Sequence, residues 1–274
     1  MKTEFVIANG QILKKEEFVP FAYNDPVVIT RKIWYGFGGI PLFHQNVELI
    51  REELLLLKMA VPALLNDGNE FFRLVKRVLN KSRYYRSGFV TIKLFAAFAK
   101  TDFMVECSAF EEFEFPVTQQ GILLNFAEIP VFSGDPFIRF QFYNSLVWKT
   151  AEIANLQTQA QNSVFLNEKA CVTHGIGANI FVVKGREIFT PALETGCYID
   201  VLRDLVIETA RKSGLKIRET AALKKNDLME MDEIILASEA GGFQWVMGIG
   251  TKRFVQKFTV LICEKLNEVL KEMV

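Results

Sequence analysis

His44 and His174 are the only imidazoles in the chain, so any acid–base or metal chemistry that needs histidine must use one of them. No Cys or acidic pair stands near either at metal-ligand spacing, so no metal site is expected. Cys107, Cys171, Cys197 and Cys263 are scattered without a C-x-x-C pair, the pattern of buried free thiols in a reducing compartment. Ser108 and Ser145 lack the G-x-S-x-G elbow that activates a serine nucleophile. Gly36-Phe37-Gly38-Gly39, Gly175-Ile176-Gly177 and Gly248-Ile249-Gly250 are glycine-rich, but none is a G-x-G-x-x-G between a strand and a helix. They read as turns. Lys81, Arg83 and Arg86, with Tyr84 and Tyr85 between them, read as a solvated helix end rather than a nucleic-acid patch. Trp34, Trp148 and Trp245 read as core.

The 32 basic residues balance the 32 acidic ones, so no net field draws nucleic acid or an anionic membrane, and self-association meets no charge barrier. Met1-Lys2-Thr3-Glu4 lacks the basic-then-apolar pattern of a signal peptide, and no apolar run is long enough to span a bilayer. A soluble cytoplasmic protein is expected.

Half of the 274 residues are hydrophobic, enough to bury a large core. Short strands open the chain at Phe5 to Ala8 and Gln11 to Leu13, around the Asn9-Gly10 hairpin turn. Val27 to Tyr35 is rich in β-branched residues and reads as a strand. Val47, Ile50, Leu54 and Leu57 make one helical stripe between Asn46 and Met59. Phe71, Phe72, Val75 and Leu79 make a second, behind a cap at Asn66 or Asp67. Phe89 to Phe98 and Phe103 to Phe110 read as a strand pair. Glu111 to Gln120 is the best linker, which divides the chain into 1–113, a linker at 114–120, and 121–274.

The second part reads as strands at Ile122 to Phe126, Ser163 to Leu166, Asn179 to Val183, Glu187 to Phe189, Lys216 to Glu219, Glu233 to Ala237 and Phe243 to Gly248. Helices are expected at Asn144 to Gln157, Ile199 to Ser213 and Arg253 to Met273, with Gly214 as a C′ glycine. Mixed strands with interleaved helices make the chain α+β.

Several segments in order resemble one family. Cys171-Val172-Thr173-His174-Gly175 and Asn179-Ile180-Phe181-Val182-Val183 look like "v-t-E-g … s-N-i-F-v-v". Thr190-Pro191-Ala192-Leu193-Glu194-Thr195-Gly196-Cys197 looks like "T-P-p-l-e-t-G-c/i", and Tyr198 to Arg203 stands where that family reads "L-P-G-I-T-R". Lys216-Ile217-Arg218-Glu219 sits like "i-x-v-x-E", Asp232 to Glu239 like "D-E-v-F-l-T-n-S", and Gly242 to Val246 like "G-i-x-P-V". These are blocks of fold-type-IV pyridoxal-phosphate (PLP) enzymes, the class-IV aminotransferases and aminodeoxychorismate lyases. The resemblance implies a D-amino-acid aminotransferase-like architecture: a small α/β domain, a larger pseudo-barrel domain, a homodimer and a cofactor cleft between domains.

The resemblance also shows what has changed. PLP chemistry needs an amine, a carboxylate on the pyridine nitrogen, donors for the phosphate, and a proton shuttle. Asn144 and Leu146 match the family's "K-t-l-N-y-L", which puts Gln141 at the lysine. Lys149, the alternative amine, lies more than two turns further on, about 12 Å of helical rise. The pyridine carboxylate falls on His174, which reads either as that ligand or as a polar strand-end residue satisfied by backbone. The phosphate turn falls on Asp200, Val201 and Leu202, and its hydroxyl positions on Ala237 and Glu239. The phosphate arginine falls within Glu48 to Ile50, or on Arg51 with a small gap. A carboxylate about 4 Å from a phosphate charge costs about 4 kcal/mol at an effective dielectric of about 20, so Asp200 and Glu239 would oppose phosphate and favour cations. The reading is a degenerate family member without a catalytic residue or PLP, its interdomain cleft open to another small molecule or to a partner. The alternatives are an active aminotransferase or lyase using Lys149 and PLP, and a purely structural or interaction subunit.

Overall fold

The computed structural model describes residues 4–17, 26–97, 100–110 and 112–274. Met1 to Thr3, Phe98 and Glu111, which enter the readings above, lie outside the described residues. The chain forms two compact units, residues 1–115 with 270–274, and residues 116–269.

In the first unit, β1 (Phe5–Ala8), β2 (Gln11–Lys14), β3 (Val27–Tyr35), β4 (Ser87–Ala96) and β5 (Thr101–Phe110) form one antiparallel sheet in the order β2-β1-β5-β4-β3. The helices are α1 (Phe43–Leu56), α2 (Ala63–Asn66) and α3 (Gly68–Lys81). Alternation in β3 buries Ile29, Arg31 and Ile33, and Arg31 is neutralised by an ion pair with Glu53 on the buried stripe of α1. Asp67, one of the two expected caps, accepts from the Glu70 N–H at 2.9 Å and starts α3. The stripe Phe71, Leu74, Val75, Val78 and Leu79 is then buried. Helix α1 begins three residues before the expected Asn46, at Phe43, because Phe43 itself is fully buried and no side chain caps the helix.

The second unit holds β6 (Ile122–Phe126), α4 (Gln141–Asn155), β7 (Asn162–Leu166), β8 (Val172–Gly175), β9 (Asn179–Lys184), β10 (Glu187–Pro191), α5 (Val201–Lys212), β11 (Lys216–Thr220), α6 (Lys225–Met229), β12 (Glu233–Ser238), β13 (Gly242–Ile249), β14 (Lys252–Arg253) and α7 (Phe258–Glu272), whose last residues cluster with the first unit. Its mixed sheet runs β11-β10-β9-β12-β13-β6-β7-β8, with β14 on β13. The sheet curls on itself: β8 touches β9 and β10, and the Val172 N–H donates to the Leu223 carbonyl at 2.8 Å. Val164, Val172, Ile180, Ile234, Leu236 and Val246 fill the core between. Gly214, at φ +74°, takes the left-handed C′ position after α5.

The expected helix start at Arg253 is corrected to Phe258. Lys252 and Arg253 pair with β13, and the Phe254 N–H donates to the Met247 carbonyl at 3.0 Å. The helix cap comes from another strand: the buried Glu233 carboxylate accepts from the Phe258 N–H at 2.6 Å, and from the Thr259 N–H at 3.0 Å and its hydroxyl at 2.5 Å. Glu233→Ala strips those three donors and is expected to lower stability by about 2 kcal/mol, read from the urea midpoint. All four cysteines are buried, and none is in a disulfide among the described residues.

Candidate functional site

The site residues of the second unit gather on α4, β8, the start of α5 and the end of β12. Helix α4 starts at Gln141, earlier than the expected Asn144, because the Asn144 side-chain amide turns back to the Phe140 carbonyl at 2.9 Å and also reaches the Ile138 carbonyl. Phe140 just before it is extended and buried. Gln141, expected from the sequence resemblance at the lysine position, is therefore the first residue of this helix and is half-buried. Lys149 extends outward on the same helix, its side chain 69% exposed and ion-paired to Glu152 at 3.0 Å.

One turn beyond Asn144, Trp148 donates its indole N–H to His174 Nε2 at 3.3 Å. His174 stands on β8, a strand that the motif reading did not delimit. Its ring stacks on Phe165 at 5.1 Å and is flanked by Trp148 at 6.1 Å and Tyr198 at 6.4 Å. With Nε2 accepting, the neutral imidazole carries its proton on Nδ1, and that atom has no hydrogen-bond partner among the described residues. Burial pushes the imidazole down to about 3, so His174 is uncharged at neutral pH. An uncharged ring in an aromatic box can hold shape, but it supplies no anion to a pyridinium.

The residues expected from the resemblance to form the phosphate turn start helix α5. Asp200, 5% exposed, is the N-cap of α5. Its Oδ1 accepts from the N–H groups of Leu202 at 3.1 Å and Arg203 at 3.2 Å, and from the Asn179 amide at 3.0 Å. Its Oδ2 accepts from the Glu239 N–H at 2.9 Å. The expectation that Asp200 is a carboxylate open to cations is corrected: donors from β9, α5 and the segment after β12 converge on it. Leu202, Ala237 and Glu239 are buried and Val201 is half-buried. Arg51 belongs to α1 in the first unit, where it donates to Glu48 at 2.8 Å.

Sequence reasoning missed the roles of Asn179, Trp148, Phe165 and Tyr198. Asn179 carried a signal, the retained Asn of "s-N-i-F". The aromatic box carried none, because Trp148 and Phe165 look like ordinary core. Two other motif residues do structural work. Arg203, 3% exposed, donates to Glu219 and to the Pro191 carbonyl, each at 2.9 Å, tying α5 to β11 and to the end of β10.

Residues 136–247 match the family described as amino-transferase class IV. A Methanocaldococcus jannaschii protein of branched-chain-amino-acid aminotransferase type is 26% identical over 155 residues, 56% of this chain and 52% of that protein. The aminodeoxychorismate lyase of Bacillus subtilis is 38% identical over 77 residues, 28% of this chain and 24% of that enzyme. The matched segments thus span about half and about a quarter of these two relatives. The crystal structure of the branched-chain aminotransferase from Thermoproteus uzoniensis with norvaline superposes with a TM-score of 0.84 at 16% identity, covering 100% of this chain and 96% of that one. The chain therefore has the fold-type-IV architecture, and its segment 136–247 is similar to the class-IV aminotransferases. Among the described residues, no cluster of three or more His, Cys, Asp or Glu could hold a metal, and no helix is long and apolar enough to cross a membrane.

Proposed function

We propose that this chain uses the class-IV aminotransferase fold without PLP chemistry, as a homodimeric scaffold that binds another ligand or a protein partner. The observation that carries the reading is the state of His174, a fully buried, neutral imidazole whose Nε2 is engaged by Trp148. The residues present do not fit PLP. Gln141 offers an amide that forms no imine, and Lys149 is held at the helix surface by Glu152. His174 cannot supply the negative charge that keeps a pyridine nitrogen protonated.

A separate cavity shares Phe165 with the His174 box. It measures about 70 Å³ between α4, β6 and β7, with Phe126, Val147, Ala151 and Ser163 on its walls. The test is equilibrium dialysis of the purified protein against PLP. Retention equal to that of a protein with no PLP site is expected, and stoichiometric retention would overturn the reading.

A further inference from the structure

We infer that the Asp200 carboxylate is a built-in anion that permanently fills the oxyanion cradle at the start of α5. This deepens the reading above and rests on it. An ordinary N-cap side chain accepts from the N–H of the second or third helical residue, and Asp67 does that alone at the start of α3. Asp200 does this with Leu202 and Arg203 and then collects two donors from outside the helix, the Asn179 amide and the Glu239 N–H. Both carboxylate oxygens are engaged, in a group that is 5% exposed.

Four N–H donors from three segments, aimed at one point at the positive end of a helix, form a receptor for a small oxyanion. Here the chain supplies that anion itself. Asn179 closes the cradle from the sheet side as well: its amide donates to Asp200 Oδ1 at 3.0 Å. An incoming phosphate would have to displace a tethered carboxylate and then share the cradle with its charge.

Removing the tethered anion should convert the cradle into an open anion site. The probes are inorganic phosphate and formate, and the readout is the thermal midpoint against chloride at equal ionic strength. Asp200→Gly removes the carboxylate and leaves the four donors in place. Its midpoint is expected to rise in a saturable way with phosphate, by about 5 °C at a hundredfold excess over Kd, and formate is expected to give a similar recovery. Wild type and Asp200→Asn, whose cradles stay filled, are expected to follow the chloride control. Asp200→Ser keeps a capping hydroxyl, and phosphate is expected to raise its midpoint too, so it serves as the second variant if the glycine form does not fold. A saturable phosphate response in wild type overturns the inference, and so does the same response, or none, in wild type and the opened variants. PLP retention by wild type would instead overturn the proposed function, so the two failures are read on different proteins with different probes.

Discussion

His174→Glu, which places a carboxylate on β8, is expected to reverse the sign of the pH dependence of stability between pH 4 and 7. In wild type the folded imidazole titrates at about 3, below its ordinary value of 6.5. Below 6.5 the unfolded chain binds the proton more readily than the folded one. The contribution of His174 is therefore complete above pH 6.5 and is lost as pH falls toward 3, at about 1.4 kcal/mol per unit. A glutamate boxed by Phe165, Trp148 and Tyr198 would behave in the opposite way. Burial raises its pKa, so its cost is absent below about pH 4.3 and grows to about 4 kcal/mol at pH 7. His174→Phe titrates nowhere in this range and is the reference that cancels every other carboxylate. Urea unfolding of the three proteins at pH 4 and pH 7 reads the result. Parallel profiles for wild type and His174→Phe would mean that the imidazole is not buried in the neutral form.

Arg31→Met is expected to cost about 3–5 kcal/mol at neutral pH, because it leaves Glu53 buried without its counter-ion. Arg31 and Glu53 are 3% and 0% exposed, inside the first unit. Burial pushes the Glu53 carboxyl up while Arg31 pulls it back. With the guanidinium gone, only burial remains, so the loss should shrink at low pH, where the carboxyl is protonated in both states. The double variant Arg31→Met with Glu53→Leu is expected to recover most of the loss, since two apolar groups of similar volume replace a pair whose desolvation cost was high. A single variant as stable as wild type would contradict the pairing.

Much of the fold was legible because its signals are local. The β-branched run fixes β3 at Val27–Tyr35, the Asn9-Gly10 turn joins β1 to β2, and Asp67 and Gly214 mark helix ends through capping chemistry that acts within a few residues. What escaped is governed by distant partners. The start of α7 depends on Glu233 of β12, whose sequence neighbours say nothing about Phe258. Asp200 was the larger loss: its type and position were plain, but its meaning depends on donors at Asn179 and Glu239 that only the folded sheet brings to it. In isolation it reads as a charge seeking a cation; in the fold it is an anion already bound. Arg203, Glu219, Glu233 and Asn179 hold elements together through partners far away in the chain.

Borohydride trapping decides whether any lysine of this chain forms an imine with PLP. Purified protein is incubated with excess PLP, its absorbance recorded against free PLP, then reduced with borohydride and mapped by peptide. No Schiff-base band and no stoichiometrically reduced lysine are expected. A stable yellow protein with PLP trapped on a single lysine, Lys149 above all, would contradict it and identify the catalytic amine.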